Sequence, residues 1–68
     1  HDAAAVIDDL FRRFVAEPSL MPDEWSEGLG GADADRLARR VCDYIAGMTD
    51  RYALDEHARL FDATPLLR

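Results

Sequence analysis

A chain of 68 residues with a single cysteine and two histidines makes one small domain at most, and no internal disulfide can brace it. Its 14 acidic and 8 basic side chains leave a net charge of -6, which makes it a poor binder of nucleic acid, where affinity comes from neutralising phosphates. No apolar run approaches the ~20 residues that a bilayer-crossing helix needs, so no such helix is expected.

Taken in chain order, the sequence predicts an all-α bundle of about three helices, two long and one short, with residues 1–68 forming a single module. The first helix spans about residues 2–16. Val6, Ile7, Leu10, Phe11, Phe14 and Val15 recur at three- and four-residue steps, the mark of one helical face. Asp2, Asp8, Asp9, Arg12 and Arg13 take the other side. The apolar stripe is wide, which predicts burial between two neighbours. Pro18 stops the helix, because the residue before a proline resists helical geometry. Residues 17–33 form a connection broken by Pro18, Pro22, Gly28, Gly30 and Gly31, with Gly28–Gly31 its most mobile part. Within it, Met21 to Trp25 read as a short turn or single helical turn that lays Trp25 on the core.

A second helix is expected over about residues 34–52, with Asp33 as its N-cap. Leu37, Val41, Ile45, Met48 and Tyr52 share its stripe, Tyr44 flanks it, and Arg36, Arg40, Asp43, Gly47 and Asp50 lie opposite. Gly47 inside a helix costs about 1 kcal/mol relative to alanine and, beside Ala46, would permit close approach of another backbone. A short third helix is expected over about 54–61, with Leu54, Ala58 and Phe61 on one face. Pro65 blocks its continuation, and Leu66 and Leu67 suggest a docked tail, with a frayed terminus as the alternative.

The residues that could carry chemistry read modestly. His1-Asp2 has the form of a metal-binding His-Asp pair, but nothing precedes it, and metal affinity needs several converging ligands. His57 is a surface or packing residue, or a general acid/base tuned by the adjacent Asp55 and Glu56. Cys42 reads as a small buried hydrophobe. Asp50-Arg51 falls where the second helix is expected to end. There Arg51 meets the terminal carbonyls and Asp50 pairs with it or caps the next turn; in the alternative, Arg51 reaches a phosphate or a partner subunit. Tyr44 and Tyr52 read as core aromatics with hydroxyls at the rim.

The stretch Arg40 to Ala53, with its DYIAGMTDRYAL core, resembles the C-terminal region of the deoxyguanosine-triphosphate triphosphohydrolase-like proteins of the HD superfamily. Glu56-His57 and Leu60-Phe61-Asp62 fit the same pattern, so the strong match covers roughly residues 40–62. The resemblance implies a bacterial, all-helical parent that cuts a deoxynucleoside triphosphate into deoxynucleoside and triphosphate. It implies a divalent metal held by a His…His-Asp…Asp set far upstream of this signature. No catalytic, metal or substrate residue transfers onto the present chain. Tyr44, Gly47, Met48, Asp50, Arg51, Tyr52 and His57 are therefore expected to be structural or interface residues. The chain is expected to be a C-terminal segment that is not catalytic alone. Its expected partners are the catalytic core of its parent and a second copy, in a reducing cytoplasm suited to a lone thiol. The alternative is a free-standing helical dimerisation or interaction module.

Overall fold

In the computed structural model, which describes residues 3–61, the first helical stripe becomes α1 (Ala3–Ala16). His1, Asp2 and the tail with Asp62, Pro65, Leu66 and Leu67 lie outside the described residues. Val6, Leu10 and Phe14 turn inward. Fully burying side chains such as Leu10 and Phe14 stabilises by about 1.5–3 kcal/mol each. Phe11 and Val15 pack against the core's edge, whereas Ile7 is 42% exposed.

After α1 the chain tightens into a 3-10 turn (Pro18–Leu20), then a single helical turn, α2 (Asp23–Ser26). The Met21–Trp25 stretch thus folds as its composition predicts. Met21 is buried and the Trp25 ring packs 5.3 Å from Tyr44. Gly28 and Gly31 both adopt φ of 81°, a left-handed geometry that glycine reaches at no steric cost. Leu29 between them is buried, and the Ala32 amide bonds its carbonyl at 3.0 Å. Arg40 reaches back to this connection, donating to the carbonyl of Trp25 at 2.8 Å. Asp33 caps α3 (Ala34–Ala46), accepting the Arg36 amide at 2.8 Å.

The expected helix over 34–52 is two helices. α3 ends at Ala46, Gly47 is its C-cap, and α4 (Asp50–Phe61) begins four residues earlier than the expected third helix. Local chemistry explains the break. Gly47 is a weak helix former, and Met48 turns back to bond the Ile45 carbonyl at 3.0 Å. The Thr49 hydroxyl then accepts the Tyr52 amide at 3.1 Å, a new N-cap. Two long helices and one short become three of 14, 13 and 12 residues with a single turn beside them. Tyr52 moves from the stripe of α3 to α4. A Cβ at Gly47 would meet only the Tyr44 and Asp43 carbonyls of its own helix, at 3.8 and 3.9 Å. The close crossing expected there is not made within the described chain.

α1 packs on both α3 and α4, around a core completed by Met21, Leu29, Val41, Tyr44, Ile45 and Ala53. Of the face predicted for the last helix, Leu54 packs against the core, whereas Ala58 is exposed and Phe61 is 39% exposed. Ala53, Glu56, His57 and Leu60 turn inward with Leu54, at helical spacing, because Glu56 and His57 have polar partners waiting on the other elements.

Candidate functional site

The densest polar chemistry lies where α3, α4 and the connection meet. Tyr44 comes from α3, Tyr52, Glu56 and Arg59 from successive turns of α4. The Tyr44 hydroxyl donates to Glu56 Oε2 at 3.0 Å. With its one proton so committed, it accepts from the Tyr52 hydroxyl at 2.9 Å. Arg59 grips the same carboxylate, Nε to Oε1 at 2.7 Å and Nη2 to Oε2 at 2.8 Å. Its Nη2 also donates to the Leu20 carbonyl at 2.9 Å, tying α4 to the 3-10 turn.

The electrostatics follow from this wiring. The Arg59 guanidinium holds the Glu56 carboxyl below its ordinary 4.5, against the opposing effect of burial and with help from the Tyr44 bond. Burial, then the bonds with Tyr52 and Glu56, push the Tyr44 phenol well above its ordinary 10.0. Glu56 in turn raises Arg59. An acid kept ionised and a phenol kept protonated, each with partners, make a clamp rather than a proton-transfer pair near neutral pH. No buried side-chain oxygen or nitrogen among the described residues lacks a partner.

His57 serves a second tie. Its Nε2 lies 2.9 Å from Asp9 Oδ2 on α1, and its ring stacks 4.6 Å from Phe61. The adjacent carboxylates expected to tune it are engaged elsewhere: Asp55 pairs with Arg51 at 3.3 Å, and Glu56 with Arg59. Asp50 and Arg51 open α4 rather than closing the preceding helix, so Arg51 meets no terminal carbonyls of α3. Tyr44, Gly47, Met48 and Tyr52 share one cleft with Trp25, whereas Asp50, Arg51 and His57 lie apart from it. Cys42 is exposed, contrary to the buried role expected of it, because its neighbour Val41 takes the inward position. Among the described residues no three His, Cys, Asp or Glu side chains converge as a metal site requires. Glu56, Arg59 and Asp9 are the residues that sequence reasoning missed; the one local signal was the i,i+3 spacing of Glu56 and Arg59.

Residues 1–59 match the family model of the phosphohydrolase-associated domain. The chain belongs to this family. The match extends the resemblance drawn on residues 40–62 to almost the whole module. The chain is 61% identical over 67 residues to a deoxyguanosinetriphosphate triphosphohydrolase-like protein of Azorhizobium caulinodans, covering 98% of this chain and 16% of that protein. The protein of the same description from Brucella ovis is 57% identical over 65 residues, 96% of this chain and 16% of its own length. That of Rhodopseudomonas palustris is 56% identical over 70 residues, 98% of this chain and 17% of its own. This phosphohydrolase-associated domain thus spans about one sixth of the length of the curated relatives it matches. No solved structure matches it. No helix among the described residues is long and apolar enough to cross a membrane.

Proposed function

We propose that this phosphohydrolase-associated domain is the helical module of a cytoplasmic deoxynucleoside triphosphate triphosphohydrolase, and that it supports the enzyme's catalytic core and subunit assembly. The observation that carries the reading is 61% identity, over 98% of the chain, to a deoxyguanosinetriphosphate triphosphohydrolase-like protein. In this reading the divalent metal and the hydrolytic chemistry belong to residues outside the module, and no catalytic step is assigned to the residues described here. The clamped Tyr44–Glu56–Arg59 network suits a supporting role, since satisfied polar networks rigidify a small fold. The free thiol of Cys42 suits the cytoplasm.

The test is triphosphate release from each deoxynucleoside triphosphate with added divalent metal. The longer polypeptide that contains this domain is expected to release triphosphate, and the 68-residue chain alone is not. A folded long polypeptide that releases none, or metal-dependent turnover by the short chain, refutes the reading. A second reading, a free-standing dimerisation module, draws on the exposure of Ile7 and Phe61. Sedimentation equilibrium of the short chain separates the two, because only the second requires a stable dimer at micromolar concentration.

A further inference from the structure

Among the described residues, one face of α1 borders two open hollows. Ala4, Ile7, Phe11, Cys42, Ile45 and Ala46 line a groove of about 650 Å³ between α1 and α3. Ile7 also borders a second concavity of about 280 Å³ with Ala3, Ala53 and Leu54, where α1 meets α4. The two hollows adjoin at Ile7, an apolar side chain that the module itself leaves 42% exposed. The alanines on both sides keep the floor low, so a further helix can seat its ridge between α1 and its neighbours at ordinary interhelical distance. Among the described residues the charged groups that line the hollows are acidic: Asp8 at the first, which also pairs with Arg12 at 2.8 Å, and Asp50 at the second.

We infer that this groove holds an amphipathic helix from the remainder of the same polypeptide, apolar on the seated face and flanked by an arginine or lysine. The inference rests on the reading of this chain as one module of a longer hydrolase, and it names the surface by which the module docks. Three observations select this occupant over a second copy. A relative sharing 61% identity has only 16% of its length in the matched region, so abundant chain exists to supply the helix. A second copy would also carry a net charge of -6, so two copies repel each other at long range. A groove one helix wide also falls short of the ~800 Å² per partner that a stable free complex buries, whereas a tethered segment gains from its millimolar effective concentration.

Cys42 lies in the groove and reports its occupancy. The experiment measures alkylation of Cys42 in the full-length polypeptide, followed by mass spectrometry of the Cys42 peptide, in native buffer and in denaturant. Docking predicts that Cys42 reacts at least tenfold more slowly in the native protein. Ile7→Glu should restore most of the denatured rate. Asp8→Arg, a surface change that spares the core, should raise the native rate severalfold by repelling the basic flank. Equal native and denatured rates overturn the inference, as does protection that survives both substitutions. Protection that grows with protein concentration alongside a sedimenting dimer assigns the groove to a second copy and overturns it too. Triphosphate release by the same wild-type polypeptide reads the proposed activity separately, so a reactive Cys42 in an active enzyme sinks the docking alone.

Discussion

Tyr44→Phe deletes one oxygen and leaves the packing of the ring in place. The ring keeps its edge contact with Phe14 at 5.4 Å and its neighbours Trp25 and Tyr52 at 5.3 and 6.3 Å. What is lost is the bond donated to the Glu56 carboxylate and the acceptor for Tyr52. A hydrogen bond to a charged group contributes about 1.5–3 kcal/mol net. Glu56 keeps both Arg59 contacts, so no orphaned carboxylate adds to the loss, and the lower end, about 1.5 kcal/mol, is expected. At 4–8 °C per kcal/mol for a small domain, the melting temperature should fall by roughly 6–12 °C. Tyr52→Phe should cost about 0.5 kcal/mol, the low end for a neutral bond, because Tyr52 is 44% exposed and water replaces what its hydroxyl gives up. Thermal melts followed by far-ultraviolet circular dichroism read both variants. Pairing Tyr44→Phe with Glu56→Gln in a double-mutant cycle should return a coupling of about 1 kcal/mol. Equal costs for the two tyrosines, or zero coupling, would refute the direction of donation argued above.

Glu56 is depressed in the fold, so its ionised form contributes stability that is present above pH 4.5 and is lost as pH falls through its lower folded value. Acid titration of stability should therefore show a loss below that point, and Glu56→Gln should flatten it. Tyr44 is raised, so stability should also decline as pH climbs past 10.0, where the unfolded phenol ionises first; Tyr44→Phe should lessen that alkaline decline. Thr49→Ala removes the cap of α4 and should destabilise by about 1 kcal/mol in urea titrations. Gly47→Ala meets no other helix and sits at a φ of -85°, so it should stabilise by about 0.4–1 kcal/mol, and a lowered urea midpoint would contradict the open site.

The parts of the fold that were legible in the sequence are those settled by neighbours. Asp33 caps the third amide on, Pro18 ends α1 locally, and the Leu10–Phe14 spacing needs only one helix to read. The break between α3 and α4 was hidden because the apolar spacing runs on across it: Met48 and Tyr52 remain four apart whether or not the backbone turns between them. The two signals that mattered, glycine followed by a threonine cap, were weaker than the stripe. Glu56 and His57 were unreadable for a different reason. Their partners stand far off in sequence, Tyr44 by 12 residues and Asp9 by 48, and a polar residue looks solvent-facing until such partners are in place. Cys42 differs from Val41 by one step of rotation, which composition alone does not resolve.

The bond from Arg59 to the Leu20 carbonyl has a consequence during synthesis. Leu20 leaves the ribosome 39 residues before its partner is made. At about 5–20 residues per second, that carbonyl and the apolar side chains around it wait roughly 2–8 s for closure. Until α4 is made, Leu10, Phe14 and Met21, all buried in the finished fold, lack its cover, and for the first part of that interval they lack α3 as well. A mutation that slows the making of α4 would lengthen this interval and leave those side chains exposed for longer.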